Sequence, residues 1–210
     1  MPNTYLHMKT EHELANLQQL QIGNSCSFHA ISTAIKLLLD IQMDPHLLAE
    51  EIDYLWWRFK PMRTYPGWAV TPNQQKRIVN YLAESRGFPI MATFEHASVE
   101  RLWEVLNYAH AVPLVTILWL KNKAPGIYLG SSPINHNNNQ QTNAHTMLLA
   151  AFDAMHITYG IGETPWGFIN SWRNSGEYLF WMRDEDFRRT WDFFLPGVGP
   201  MPLVLIERTE

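Results

Sequence analysis

The sequence predicts an α+β fold in which helices occupy the first half of the chain and strands the second. Three observations carry this expectation. Apolar residues recur at helical spacing in four segments before residue 110, short apolar runs bounded by turn residues follow it, and no strand-helix-strand alternation joins the two halves. The expected arrangement is one domain spanning 1–210, with a helical lobe over about residues 21–110 packed against an antiparallel β lobe over about 111–210 and a cleft between them.

The first helix is expected at Cys26–Leu39, where apolar periodicity begins directly after the turn-forming Gly23-Asn24-Ser25. The second, Pro45–Phe59, opens on a proline whose fixed φ and missing N–H suit a first turn. Thr71 and Ser98 are capping residues for the third and fourth, Pro72–Ser85 and Val99–His110. Strands are expected at Pro113–Leu120, His145–Phe152, Trp166–Asn170 and Tyr178–Met182. A last one, Leu203–Ile206, follows the Pro196–Pro202 turn cluster. The polar segment Ser131–Asn143 reads as an exposed loop, either a lid on the cleft or plain solvated chain. The aromatic clusters Trp56-Trp57 and Trp191–Phe194 are expected in the core.

Composition narrows the function. A chain of 210 residues at 46% hydrophobic can bury a sizeable core. A net charge of −4, with no basic run longer than Lys76-Arg77 or Arg188-Arg189, speaks against nucleic acid as a partner. The longest apolar stretches, Ala111–Leu120 and Met147–Phe152, fall well short of the roughly 20 residues that span a bilayer, so no membrane partner is expected. The first twenty-five residues hold no apolar run of a secretory type, and a single cysteine excludes an internal disulfide. Both fit a cytoplasmic, reducing compartment.

No metal and no cofactor are expected. Cys26 and His29 stand one helical turn apart, but a structural zinc needs four nitrogen or sulfur ligands and there is no second cysteine. His29 is expected to pack or hydrogen-bond along its helix. His12-Glu13 lacks the second histidine of a zinc-protease helix, and Gly160–Pro165 lacks the final glycine of a dinucleotide loop. No Gly-x-Ser-x-Gly elbow occurs.

Cys26 therefore carries the question of chemistry. A cysteine at a helix start meets unpaired first-turn N–H groups and a partial positive charge, which favour thiolate. The alternative is a small buried apolar residue. Two distant segments bear on the choice. In Asn143-Ala144-His145-Thr146-Met147-Leu148 a histidine opens an apolar strand. In Trp166-Gly167-Phe168-Ile169-Asn170-Ser171-Trp172 an Asn-Ser-Trp tripeptide precedes Gly176-Glu177-Tyr178. The three blocks, in the order Cys, His, Asn, resemble the papain family of cysteine peptidases, with element order similar over most of the chain.

The resemblance implies a papain-like fold with the active site in the cleft, Cys26 as nucleophile, His145 as general base and Asn170 as the acceptor that orients the imidazole. Trp172 would shield that bond and border the substrate. A histidine of pKa near 6.5 can take the thiol proton and return it to a leaving amine. An asparagine carbonyl holds the ring without adding charge. In the family a glutamine upstream of the cysteine stabilises the oxyanion together with the cysteine's backbone N–H. Gln21 is the candidate here, with Gln19 and Gln18 as rivals. Gly67 and Trp68 fall where family members line the substrate backbone.

Departures are visible. The family glutamine usually lies six residues before the cysteine, whereas Gln21 lies five before Cys26 and Leu20 holds the usual place. The family's Cys-Trp-Ala-Phe-Ser is here Cys26-Ser27-Phe28-His29-Ala30, and its disulfides and long pro-segment have no counterpart. The implied activity is hydrolysis of a peptide or isopeptide bond in a peptide or protein substrate, through a thioester on Cys26. Acyl transfer, ligation or deamidation by the same triad, and a non-catalytic peptide-binding relative, are the alternatives.

Overall fold

The computed structural model describes residues 3–21, 23–63, 68–133, 143–172, 177–194 and 198–209. In chain order the elements are β1 (Thr4–Tyr5), a 3₁₀ turn at Leu6–Met8, α1 (Glu11–Ala15), α2 (Cys26–Leu39), α3 (Pro45–Tyr54) and α4 (Trp56–Phe59). Then come β2 (Met62–Arg63), β3 (Trp68–Ala69), α5 (Pro72–Arg86), β4 (Ile90–His96), α6 (Val99–Leu106), β5 (Ala111–Trp119) and β6 (Ile127–Leu129). The last group is β7 (Asn143–Phe152), β8 (Ile157–Thr158), β9 (Gly162–Glu163), β10 (Trp166–Ile169), β11 (Phe180–Met182), α7 (Asp184–Trp191) and β12 (Pro202–Arg208).

Local chemistry explains the helix ends. Thr71 and Gln74 form a reciprocal capping box at α5, Pro72 occupies its first turn, and Gly87 closes it at φ 65°. The Asp44 carboxylate accepts the N–H groups of His46 and Leu47 at the start of α3. The predicted helix Pro45–Phe59 is broken at Leu55 (φ −94°, ψ 26°). Its apolar spacing carries no sign of the break. The carbonyls of Phe59 and Lys60 at the end of α4 are instead satisfied by Gln74 Nε2 at 2.9 and 2.8 Å, a contact from another helix.

The main sheet is antiparallel, in the order β4-β12-β5-β7-β10-β11-β6, with β1 added to β7. The α+β class therefore holds. All nine residues of β5 are buried, as expected of a central strand covered on both faces. Helix α2 packs on β7, β5 and β12, α5 on β4 and β12, and α6 and α7 on β5.

The halves interleave more than the sequence implies. Strand β4 comes from the helical half, and its seven residues pair along the full length of β12. Only Ile90 and Ala92 are buried in it, so its extended form depends on that partner. Helix α7 lies in the strand half. Its five charged residues hide a short apolar face of Phe187, Thr190 and Trp191. Trp191 is buried as expected, but Phe194 is exposed, and Trp56 and Trp57 are 53% and 63% exposed. Short α4 turns both Trp56 and Trp57 outward and buries Phe59 in their stead.

Candidate active site

Cys26 is the first residue of α2. Gly23 turns the chain into it at φ 68°, a left-handed conformation suited to glycine. The Ser25 side chain makes no cap, so the opening N–H groups of the helix are not consumed by one. Cys26 is half-buried, and its Sγ accepts the N–H of Thr146 at 3.5 Å. The nucleophile candidate thus touches the residue next to His145.

His145 stands in β7 opposite Ile117 of β5. Asn170 follows the last residue of β10, whose Ile169 pairs with Leu148 of β7. This ladder brings the two side chains together. The His145 Nε2–H donates to Asn170 Oδ1 at 2.8 Å, with the residues 3% and 1% exposed. Trp172 N–H donates to the same oxygen at 3.1 Å. Two donors on one oxygen fix the amide orientation, and the bond at Nε2 leaves Nδ1 as the ring nitrogen for a thiol. The Trp172 indole stacks on His145 with centroids 4.3 Å apart and planes 28° apart, and Trp119 meets that indole edge-on at 6.4 Å.

The upstream glutamines have separate fates. Gln18 is buried, donating to the carbonyls of Ala15 and Tyr178 and accepting the Asn170 N–H, so it ties the N-terminal segment to the Asn170 turn. Gln21 accepts the Ser171 hydroxyl, donates its backbone N–H to the Ser171 carbonyl at 2.7 Å, and turns its side-chain N–H onto the Gly23 carbonyl at 2.7 Å. Its amide is therefore a clamp on the turn before Cys26. Gln19, seven residues before Cys26, lines the same small cavity as Cys26, Thr146 and Asn170, and its amide makes no hydrogen bond among the described residues. Of the expected substrate wall, Gly67 lies outside the described residues. Trp68 contributes its backbone to β3, paired with Arg63.

Burial dominates the electrostatics. It pushes the Cys26 thiol up from its ordinary value, against the lowering effect of the Thr146 N–H and the Ser27 hydrogen bonds. It pushes His145 down to about 4, against its bond to Asn170. The helix start predicts a lowered thiol, and desolvation outweighs it. Both shifts run the same way, each favouring the uncharged form of its group. Burial therefore opposes a resting thiolate–imidazolium pair.

Behind Cys26 lies a buried polar network that sequence reasoning missed. Gln75 of α5, fully buried, donates to Ser27 Oγ at 3.0 Å and to Thr146 Oγ1 at 2.9 Å, and Thr146 also meets Ser27 and Thr116 hydroxyls. A glutamine on the core-facing spacing Pro72-Gln75-Ile78-Val79-Leu82 was the available signal. A larger cavity of about 260 Å³, lined by Trp103, Phe152, Glu163, Asp184 and Arg188 among others, shares no residue with the Cys26 site.

No protein-family model matches the chain, and the search of curated proteins finds no significant match. Among the described residues there is no group of three or more His, Cys, Asp or Glu side chains placed to hold a metal ion. Among them, too, no helix is long and apolar enough to cross a membrane.

Proposed function

We propose that this chain is a papain-like cysteine hydrolase that cleaves a peptide or isopeptide bond through a thioester on Cys26, with helical and β lobes flanking the cleft as in that family. The observation that carries the reading is the His145–Asn170 hydrogen bond at 2.8 Å under the Trp172 ring, next to a cysteine at a helix start. A general base must present an unprotonated ring nitrogen to the thiol, and a neutral amide oxygen on the other nitrogen fixes that tautomer without adding charge.

With burial opposing a resting ion pair, the thiol proton moves as the substrate arrives. Sγ attacks the carbonyl carbon while its proton passes to His145 Nδ1, and the carbonyl oxygen becomes an oxyanion. The Cys26 backbone N–H and the Gln19 amide are the donors assigned to that oxyanion. The imidazolium gives its proton to the departing amine, leaving the acyl group on sulfur. His145 then takes a proton from water as that water attacks the thioester, and returns it to the Cys26 sulfur. Asn170 holds the ring through both half-reactions, and Trp172 keeps water off the bond.

The test is incubation of the full chain with a denatured-protein peptide pool, followed by mass spectrometry of new termini, beside Cys26→Ala. Cleavage by the wild type and none by Cys26→Ala is the expected result. Products carrying an added amine in place of water reassign the enzyme to acyl transfer. No cleavage and no transfer by either protein removes the hydrolase reading.

A further inference from the structure

Two buried polar atoms beside the candidate triad have complementary hydrogen-bonding needs and no partner. His29, one turn after Cys26 on α2, is 2% exposed, and its Nδ1 lies 3.0 Å from the Ser25 carbonyl. A carbonyl only accepts, so Nδ1 carries the proton and Nε2 of the neutral ring is an acceptor. Burial lowers the His29 pKa, against the Ser25 and Leu20 backbone that would favour the protonated ring, so the neutral ring is favoured. Asn170 Oδ1 already serves His145 and Trp172, so its Nδ2 is a donor. Both His29 Nε2 and Asn170 Nδ2 are buried without a hydrogen bond to protein. Leaving such groups dry is the exception in folded proteins.

Both side chains line one cavity, together with Cys26, Gln19, Thr33 and Ser171. Its volume of about 10 Å³ decides what it can hold. No substrate side chain fits. One water molecule does, given at least two polar partners. We propose that a single water is built into this cavity, accepting from Asn170 Nδ2 and donating to His29 Nε2. Through that water His29 is a positioning residue for Asn170, and so for the base. With its Nδ2 engaged, the Asn170 amide resists the flip that would set an NH₂ group against the His145 Nε2–H. The water itself stands on the geometry alone, whereas its catalytic consequence rests on the hydrolase reading above.

The experiment pairs a crystal structure of the wild-type chain at about 1.5 Å with three substitutions. The expected density is one ordered water within about 3 Å of both atoms. A glutamine places its amide near the position of an imidazole Nε2, and an asparagine near that of Nδ1. His29→Gln therefore keeps an acceptor for the water, while His29→Asn keeps the Ser25 bond and loses the water. His29→Leu loses both. Expected is a roughly tenfold fall in kcat at unchanged KM for His29→Asn and His29→Leu, restored largely in His29→Gln. Circular dichroism and unfolding curves check that each variant folds. A dry cavity in the wild type overturns the proposal, as does an equal loss in the Gln and Asn variants. A wild type that binds the water but turns over no substrate overturns the hydrolase reading and leaves the water in place.

Discussion

The indole of Trp172 lies over the imidazole of His145 at 4.3 Å, and the backbone N–H of the same residue bonds the Asn170 oxygen that His145 also uses. One residue thus roofs the bond and holds its acceptor. Only the roof is removed by substitution, because the N–H is backbone. Trp172→Ala should therefore keep the His145–Asn170 bond but let water reach it, weakening the bond and relieving the desolvation of His145. The His145 pKa should rise from about 4 toward its ordinary 6.5, read by NMR titration of the imidazole, and kcat should fall about tenfold. An unmoved titration would mean that the indole does not dry the site.

The glutamines separate by role. Gln19→Ala removes the side-chain donor assigned to the oxyanion and should lower kcat by about 10²–10³-fold with little change in unfolding. Gln21→Ala breaks the clamp on Ser171 and Gly23, so its main effect should be a loss of stability on the order of 1–3 kcal/mol, seen in urea melts. The reverse pattern would return the donor role to Gln21 at its spacing of five.

Gln75→Leu is close in size but strips a donor from both the Ser27 and Thr146 hydroxyls. The two hydroxyls keep each other and Thr116, so each lost bond costs about 0.5–1.5 kcal/mol and the urea midpoint should drop with an unchanged m-value. Cys26 should also become more open to alkylation, since Thr146 holds its sulfur.

Stability should fall in mild acid. His145 binds its proton near pH 4 when folded and near 6.5 when unfolded, so between those values the unfolded chain holds more protons. Stability is therefore fully present above about pH 6.5 and declines toward pH 4, by on the order of 3 kcal/mol from this group. His29 and His156, also lowered by burial, act in the same direction. A pH series of urea melts checks the slope, and His145→Gln, which does not titrate, should flatten it. A slope unchanged in that variant would assign the acid sensitivity to other groups.

What could be read from the sequence was what is encoded locally. Helix α2 and its start at Cys26 follow from Gly23-Asn24-Ser25 and the spacing behind it, and α5 follows from Thr71, Pro72 and Gly87. The Cys, His and Asn blocks were legible for the same reason, each being a short motif, and the bond between His145 and Asn170 is where the structure joins two of them. Strand β4 was not legible, because its extended form comes from β12 over a hundred residues away. What separates Gln18 and Gln21 from Gln19 is that their amides reach carbonyls while Gln19 faces the cavity, and spacing does not encode that. The burial that pushes the Cys26 thiol up is likewise not local, whereas the helix start that favours thiolate is.

The central claim, acyl transfer to Cys26 assisted by His145, is tested most directly by covalent capture. The folded chain is treated with a panel of activated peptide esters near pH 7.5, and the adduct is mapped by mass spectrometry in the wild type, Cys26→Ser and His145→Ala. The account predicts a single acyl group on Cys26 in the wild type, none on the Cys26→Ser chain at that position on the same time scale, and a rate reduced by at least about 10²-fold in His145→Ala. Equal acylation of the wild type and His145→Ala, or labelling of Cys26 only after the chain is unfolded, would contradict it.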